Sequence, residues 1–425
     1  MRPSDSALTK LISDRRTMIM TSSLPEPGTE PLVAALLDHF QSLPHLSDLS
    51  PDPLIFSAIL LNLIVNRGGL IVDLPGNTDA KRKSRAVHHI ASISRSIFGR
   101  RTHVTTLNED IGPHMLEYRF WDDPSQGVAD TIVCTGIEDI SGPTRLRLVD
   151  ILLKRRLTFG PQATAAMPLP SGAGDTAHVP FPDDLLFIWV RDAGRPDPPG
   201  WFIDQFASSI PSYPNDLPST PRGSPSEELR HVIPREYIAN LRRLLDYTHI
   251  HPPLSVHLSN LLSALSAHPR LQATLTSRAV SAFPLFVRAH RLISAPFDIP
   301  AGWDEALRRR VYTVDGTHTD RFGVGGGKGG VDTWARAAGE EPPVSDLSLA
   351  GLEEGYDYGW YANEENVNGV WSLCMRHRVK ARRRRGEVMW LLQGGAADEV
   401  DTEVDVKRKG DAEVDQIMDD ILQAI

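Results

Sequence analysis

The chain has 425 residues, 41% of them hydrophobic, with a net charge of −9 and a pI near 5.9. That length can bury one large core and a smaller domain, and the acidic balance excludes a general attraction to nucleic acid. Two cysteines, Cys134 and Cys374, are too few for a disulfide framework and make a cytoplasmic or nuclear compartment the expectation.

Residues 1–30 are polar and Pro-bearing and are expected to be loosely ordered, with no apolar stretch of signal-peptide length. Order is expected from Pro31, where L-V-A-A-L-L-D-H-F has apolar residues at helical spacing. The run P-D-P-L-I-F-S-A-I-L-L-N-L-I-V (51–65) predicts a helix with Asp52 as N-cap and Pro53 in its first turn, stopped by Gly68-Gly69. Its apolar part, Leu54–Val65, is too short for a bilayer and carries Asn62, so no membrane association is expected.

A β-branched run, G-L-I-V-D-L (69–74), then a P-G-N-T turn and a helical pattern over Lys81–Ile97, open a nucleotide-binding type of α/β domain. Further strands are expected at 102–107, 130–135 and 184–190, apolar nearly throughout, as in a parallel sheet covered on both faces. The segment 160–175 has no periodicity, and the Pro, Ser, Asn and Asp of 211–225 mark a linker. Helical patterns at 226–245, 254–267 and 277–292 make a second, all-helical domain. An insertion at 296–350, which includes G-V-G-G-G-K-G-G (323–330), splits that domain. A helix capped by Asn363 follows. The tail puts Val414, Ile417, Met418, Ile421, Leu422 and Ile425 on one stripe, which must dock to persist as a helix and is expected to dock within the chain.

The segment from Ile132 to Phe159, a strand, a turn and a helix ending R-R-L-T-F, resembles without a gap the Walker B region of the MoxR and magnesium-chelatase branch of AAA+ ATPases. In that family the strand ends in Asp-Glu and the following helix finishes E-E-R-x-V-T-hydrophobic. The segment at 360–379 is similar to the family's lid helix, T-x-x-D-V-x-x-V/A-x-x-V-x-x-H-R-L, through Val367, His377 and Arg378, with Asn366 at the usual Asp. The resemblance implies an AAA+ P-loop-type parallel sheet flanked by helices and followed by a helical lid, with a hairpin near 160–175. It also implies ATP and magnesium as cofactors.

Position by position, the catalytic residues are replaced. The family's metal-holding Asp and water-activating Glu fall on Thr135 and Gly136. Its G-P-P-G-T-G-K-T maps onto D-L-P-G-N-T-D-A, so Pro75 and Gly76 remain while Asp79 stands for the lysine and Ala80 for the hydroxyl residue. A carboxylate there would repel a triphosphate. The strand ending R-D-A puts Asp192 at the sensor-1 position, and I-D-Q-F (203–206) resembles L-D-R-F with Gln205 for arginine. L-T-S-R-A (275–279) resembles S-P-R-A and retains Arg278 at sensor 2, although a lone arginine can equally be an ion-pair residue.

A shifted register offers Lys83-Ser84 as the phosphate-binding pair and Glu138-Asp139 as a displaced acidic pair, which otherwise read as turn residues. The histidines of 248–257 are broken up by Pro252-Pro253, and His88-His89 point to different sides of a helix, so no metal site is expected. The basic run 376–385 exceeds what a helix C-terminus needs, and any nucleic-acid contact would run through Arg382, Arg383, Arg384 and Arg385.

The domain reading is therefore 1–30, an α/β domain at 31–210, a linker at 211–225, a helical lid at 226–380 with its insertion, and a tail at 381–425 that is basic and then acidic. Two functions stay open. One is a degenerate, non-hydrolysing scaffold or adaptor in a protein complex or homo-oligomer, with no cofactor. The other is a magnesium-chelatase-type ATPase with a relocated phosphate loop, using ATP and Mg2+.

Overall fold

Capping chemistry sets the first long helix. Asp52 Oδ1 accepts the backbone N–H groups of Leu54 and Ile55 at 2.8 and 3.1 Å, satisfying two of the donors that a helix start leaves open. Pro53 occupies the first helical position, where its missing N–H costs nothing. The helix stops at Val65 with Asn66 in the left-handed region, two residues before the glycines that the sequence suggests, and Gly69 already belongs to a strand.

The computed structural model describes residues 31–41, 51–76, 78–121, 127–159, 177–193, 195, 198–211, 233–246, 248–294, 361–382 and 400–425. The chain divides into two units, Met1–Pro296 with Tyr361–Ile425, and Phe297–Trp360; every described residue belongs to the first. The expected loose N-terminus and glycine-rich insertion lie outside the described residues, as do Arg383, Arg384, Arg385 and the expected linker except Pro211, which ends a strand. Among the described residues no helix is long and apolar enough to cross a membrane.

Helices α1 (Leu32–Gln41) and α2 (Pro53–Val65) precede β1 (Gly69–Leu74), α3 (Ala80–Ser92, prolonged by a π turn at Ile93–Ile97) and β2 (Thr102–Thr106). Then come α4 (Leu116–Arg119), β3 (Thr131–Thr135), α5 (Gly142–Lys154), β4 (Arg156–Phe159), β5 (Ala177–Pro180), β6 (Leu186–Asp192), α6 (Gly200–Ile203) and β7 (Phe206–Pro211). The sheet order is β2-β3-β6-β1-β7 and every pair is parallel.

Both faces are covered, which is why the strands read as continuous apolar runs. Ile71, Ile132, Cys134, Phe187 and Trp189 share one core with Leu148 and Ile151 of α5. The alternate residues Leu70, Val72, Val133, Ile188 and Val190 are equally buried, on the side where α2 and α3 contact the sheet. Strand β7 carries Ser208 and Ser209 and reads as polar. Ser208 is accommodated because its hydroxyl and the Asn62 side chain of α2 exchange hydrogen bonds at 2.7 and 3.0 Å, so neither is buried unsatisfied. Strands β4 and β5 pair antiparallel, and the residues joining them lie outside the described ones.

The second half is helical: α7 (Arg235–Leu245), α8 (Pro252–Ala267), α9 (Ser277–Ser294), α10 (Glu364–Met375) and α11 (Val400–Ala424). Small strand pairs join β8 (His249–Ile250) to β10 (Tyr361–Ala362) and β9 (Leu271–Ala273) to β11 (Val379–Ala381). The α10 start is a reciprocal cap, with Asn366 N–H on Asn363 Oδ1 at 3.1 Å and Asn363 N–H on Asn366 Oδ1 at 2.9 Å. The apolar stripe of α11 docks within the chain: Val414, Ile417, Met418 and Ile421 are buried, and the Trp371 indole donates to the Met418 carbonyl at 3.3 Å. Ile425 falls outside the contact, at the exposed end.

The bundle meets the sheet through a buried clamp. Arg378, after α10, donates to the Asp204 carboxylate and to the Phe206 carbonyl at 2.6 Å. Thr276 Oγ1 donates to the same Asp204 oxygen at 2.6 Å. His377 Nε2–H donates to Phe206 O at 3.1 Å while its Nδ1 is buried without a partner. The start of the basic run is thus consumed internally: Arg376 pairs with Asp411 and Asp415 of α11, and Arg378 with Asp204.

Two outcomes are expected. Arg378→Met leaves the Asp204 carboxylate buried beside Thr276 alone and should cost about 3–5 kcal/mol in urea denaturation. Burial, and then the charge of Arg378, push the His377 pKa well below its usual 6.5. The unfolded chain then binds a proton that the native chain refuses, so stability falls as pH drops below 6.5, by about 1.4 kcal/mol per unit for this group. His377→Gln should make the pH 5–7 slope shallower by up to one proton.

Candidate functional site

Register gathers the sequence candidates on one edge. Leu74 of β1 lies opposite Asp192 of β6, Thr106 opposite Thr135, and Thr135 opposite Val190, so the turns leaving β1, β3 and β6 open at the same carboxyl edge. Open α/β sheets place ligands outside that edge. Pro75, Gly76, Asp79 and Ala80 fill the β1–α3 turn and the helix start, Thr135 and Gly136 the end of β3, and Asp192 the end of β6.

Asp79 caps α3. Its backbone is extended at φ −64°, ψ 155°, and its Oδ1 accepts the Arg82 N–H at 2.6 Å. The second carboxylate oxygen stands 3.6 Å from Arg82 Nε. The first turn of a helix attracts anions, and here the chain's own carboxylate takes that place. Ala80 is the first helical residue and offers no hydroxyl. Lys83 sits one turn into α3, so the shifted register finds a helix where its longer loop would have to be, and Ser84 faces solvent.

At β3, Thr135 Oγ1 donates to Thr106 Oγ1 at 3.0 Å. Gly136 has φ +75°, and a Cβ built there would lie 2.0 Å from the Leu107 carbonyl oxygen. The same two segments are tied by Leu107 N–H to Thr135 O at 2.8 Å. Position 136 therefore has no room for a side chain.

The acidic group that does reach the edge is Glu138, which the sequence treats as a turn residue. The turn is real, with Asp139 N–H on Gly136 O at 3.1 Å, yet the Glu138 side chain is 1% exposed. Its Oε1 accepts Lys83 Nζ at 3.3 Å and, more weakly, Asp192 N–H at 3.4 Å; its Oε2 accepts Trp189 Nε1 at 3.1 Å. Arg145 of α5 holds the turn through the Glu138 carbonyl at 2.7 Å. A tryptophan within an apolar strand is the signal that could have found this, because a buried indole N–H needs an acceptor.

Of the remaining candidates, Arg191 pairs with Asp73 and Asp139 lies 3.7 Å from Arg195. Arg278 donates to the Gln205 side chain, so the two sequence candidates are neighbours. Burial pushes the Cys134 thiol well above its usual range, which leaves it inert as a nucleophile. Among the described residues no group of His, Cys, Asp or Glu could hold a metal ion.

Compared with known proteins, the chain matches no family model and no curated protein. Among solved structures it is similar to a crystal structure from Cytophaga hutchinsonii ATCC 33406, provisionally described as an ATPase. The identity is 10%, with 88% of this chain and 89% of the other covered, at a TM-score of 0.47.

Gly136→Ala should destabilise the chain by roughly 2–4 kcal/mol, from the left-handed backbone plus the collision with Leu107. Gly127→Ala shares the positive φ, 73°, but meets nothing within 4 Å among the described residues. It should cost only about 1 kcal/mol, and thermal unfolding of the two variants separates the steric contribution from the conformational one.

Proposed function

We propose that the chain is a degenerate AAA+ ATPase-like protein of the MoxR and magnesium-chelatase kind, serving as a non-hydrolysing scaffold or adaptor in a protein complex. The observation that carries the reading is the closed backbone at Gly136, where a carboxylate that activates water cannot be accommodated. The Asp79 cap supports it, because a triphosphate approaching α3 would meet a fixed negative charge at close range. So does Glu138, whose two oxygens are already engaged by Lys83, Trp189 and Asp192. These residues do not fit ATP with magnesium, and no hydrolytic step is assigned to them.

The competing reading is an ATP-dependent magnesium-chelatase-type enzyme with a relocated phosphate loop. One observation favours it: Lys83 and Glu138 do meet at the carboxyl edge, 3.3 Å apart. It requires Lys83 to leave Glu138 for a phosphate, and a carboxylate stripped of its cation while buried is costly.

Calorimetry of the full chain with Mg-ATP, with light scattering for subunit number, separates the two. The scaffold reading expects no saturable heat at millimolar ATP and no nucleotide-dependent change in mass. Saturable binding that Lys83→Ala abolishes would replace it with the enzyme reading.

A further inference from the structure

We propose that the outward face of α3 is a docking surface for an acidic segment of a protein partner. Between Asp79 and Glu109 the sequence holds no Asp or Glu, and its fully charged residues are all Lys or Arg, in a chain of net charge −9. Such a segregated stretch is a local field of opposite sign to the whole molecule.

The fold sorts these cations into two sets. Lys83, Arg100 and Arg101 turn toward the sheet and pair with Glu138, Asp184 and Asp130. The others stay on the outside. Lys81, Arg85 and His88 recur at helical spacing, so they share one side of α3, with Arg82 and Ser84 flanking them. Arg95 continues the face on the π turn; its guanidinium donates to the Thr102 carbonyl at 2.7 Å and has no acidic partner among the described residues. Among the described residues Lys81 and Arg85 have no ion-pair partner, and Arg82 faces only the exposed Asp79. Arg85 is half-buried, and its Nε is covered with no hydrogen-bond acceptor among the described residues.

A carboxylate-bearing peptide suits this face better than nucleic acid. The exposed residues of α3 are Ala80, Lys81, Arg82, Ser84 and His88, and 80–97 contains no Phe, Tyr or Trp on which a base could stack. A long polyanion would also feel the negative field of the rest of the molecule, whereas a short acidic segment meets only what lies within about 10 Å of the helix. From Lys81 to Arg95 the face runs on the order of 20 Å at 1.5 Å per residue, enough for carboxylates on successive turns of a partner helix. Lys83 is outside the row, so the surface is independent of whether the cleft takes nucleotide.

The test is fluorescence anisotropy on the full chain with a short fluorescein-labelled polyglutamate peptide and, separately, a labelled DNA duplex and a labelled single strand. Saturable polyglutamate binding that weakens with salt is expected, reduced by about tenfold or more in Lys81→Glu/Arg85→Glu and unchanged in Lys154→Glu, an exposed cation on α5. If circular dichroism finds the Glu double variant unfolded, Lys81→Gln/Arg85→Gln decides, with a smaller loss of about threefold expected. No saturable binding, equal binding by the double variants and the parent, or tighter binding of either DNA than of the peptide would each overturn the proposal.

Discussion

A carboxylate removed from water must be met by donors, and Glu138 is where the carboxyl edge of the sheet satisfies that requirement. Its acceptors reach Lys83 from the second turn of α3, Trp189 from the middle of β6 and the backbone at the end of β6. One side chain thereby fixes the angle of α3 against β3 and β6 and fills the space between them with charge already neutralised. The identity of the groups at this edge follows from that packing. Lys83 is occupied because Glu138 is buried, and Glu138 is buried because the turn held by Arg145 at the carboxyl edge brings its side chain against Trp189.

The same packing runs on to the helical bundle. The Trp189 ring lies 5.8 Å from Phe202 and 5.3 Å from Phe206, edge-on or tilted, in the arrangement aromatic pairs prefer. The Phe206 carbonyl then accepts from both His377 and Arg378, and the residue two before it is Asp204, the buried partner of Arg378. Edge, strand β7 and bundle thus form one contiguous set of contacts. Swinging the bundle away would expose an apolar surface and separate a buried ion pair, which is among the costlier events a small domain can undergo. A stiff joint at that place suits a protein that presents surfaces better than one that cycles between shapes.

Much of this was legible. Capping by Asp52 and Asn363, the apolar strands β1, β3 and β6, and the stripe of α11 all follow from local chemistry that neighbours in sequence express. What the sequence hid has a common cause, which is distance along the chain. F-A-S-S-I-P is not among the expected strands, because its Ser208 is accommodated only when Asn62 arrives from α2 to pair with it. Asp204 and Arg378 are separated by the whole bundle, and Glu138 looks like a turn residue because its backbone is one. At the candidate site the residue types at 79, 80, 135 and 136 were visible, whereas the closure over Gly136 was not, since it depends on where Leu107 passes.

On the proposed reading, that closure bears on how a nucleotide site could be regained. Restoring lysine and a hydroxyl residue at 79 and 80 would remove the α3 cap, leaving first-turn donors open in exchange for a cation. Placing Glu at 136 would require the Leu107 segment to withdraw, which breaks the hydrogen bond from Leu107 to Thr135 and shifts the threonine pair beside it. Glu138 would then have to release Lys83 as well. These changes help only together and each destabilises alone, so single substitutions lead downhill in stability before any catalytic gain. On the proposed reading, an edge that has exchanged its phosphate-binding groups for internal caps and pairs is held in that state by its own packing.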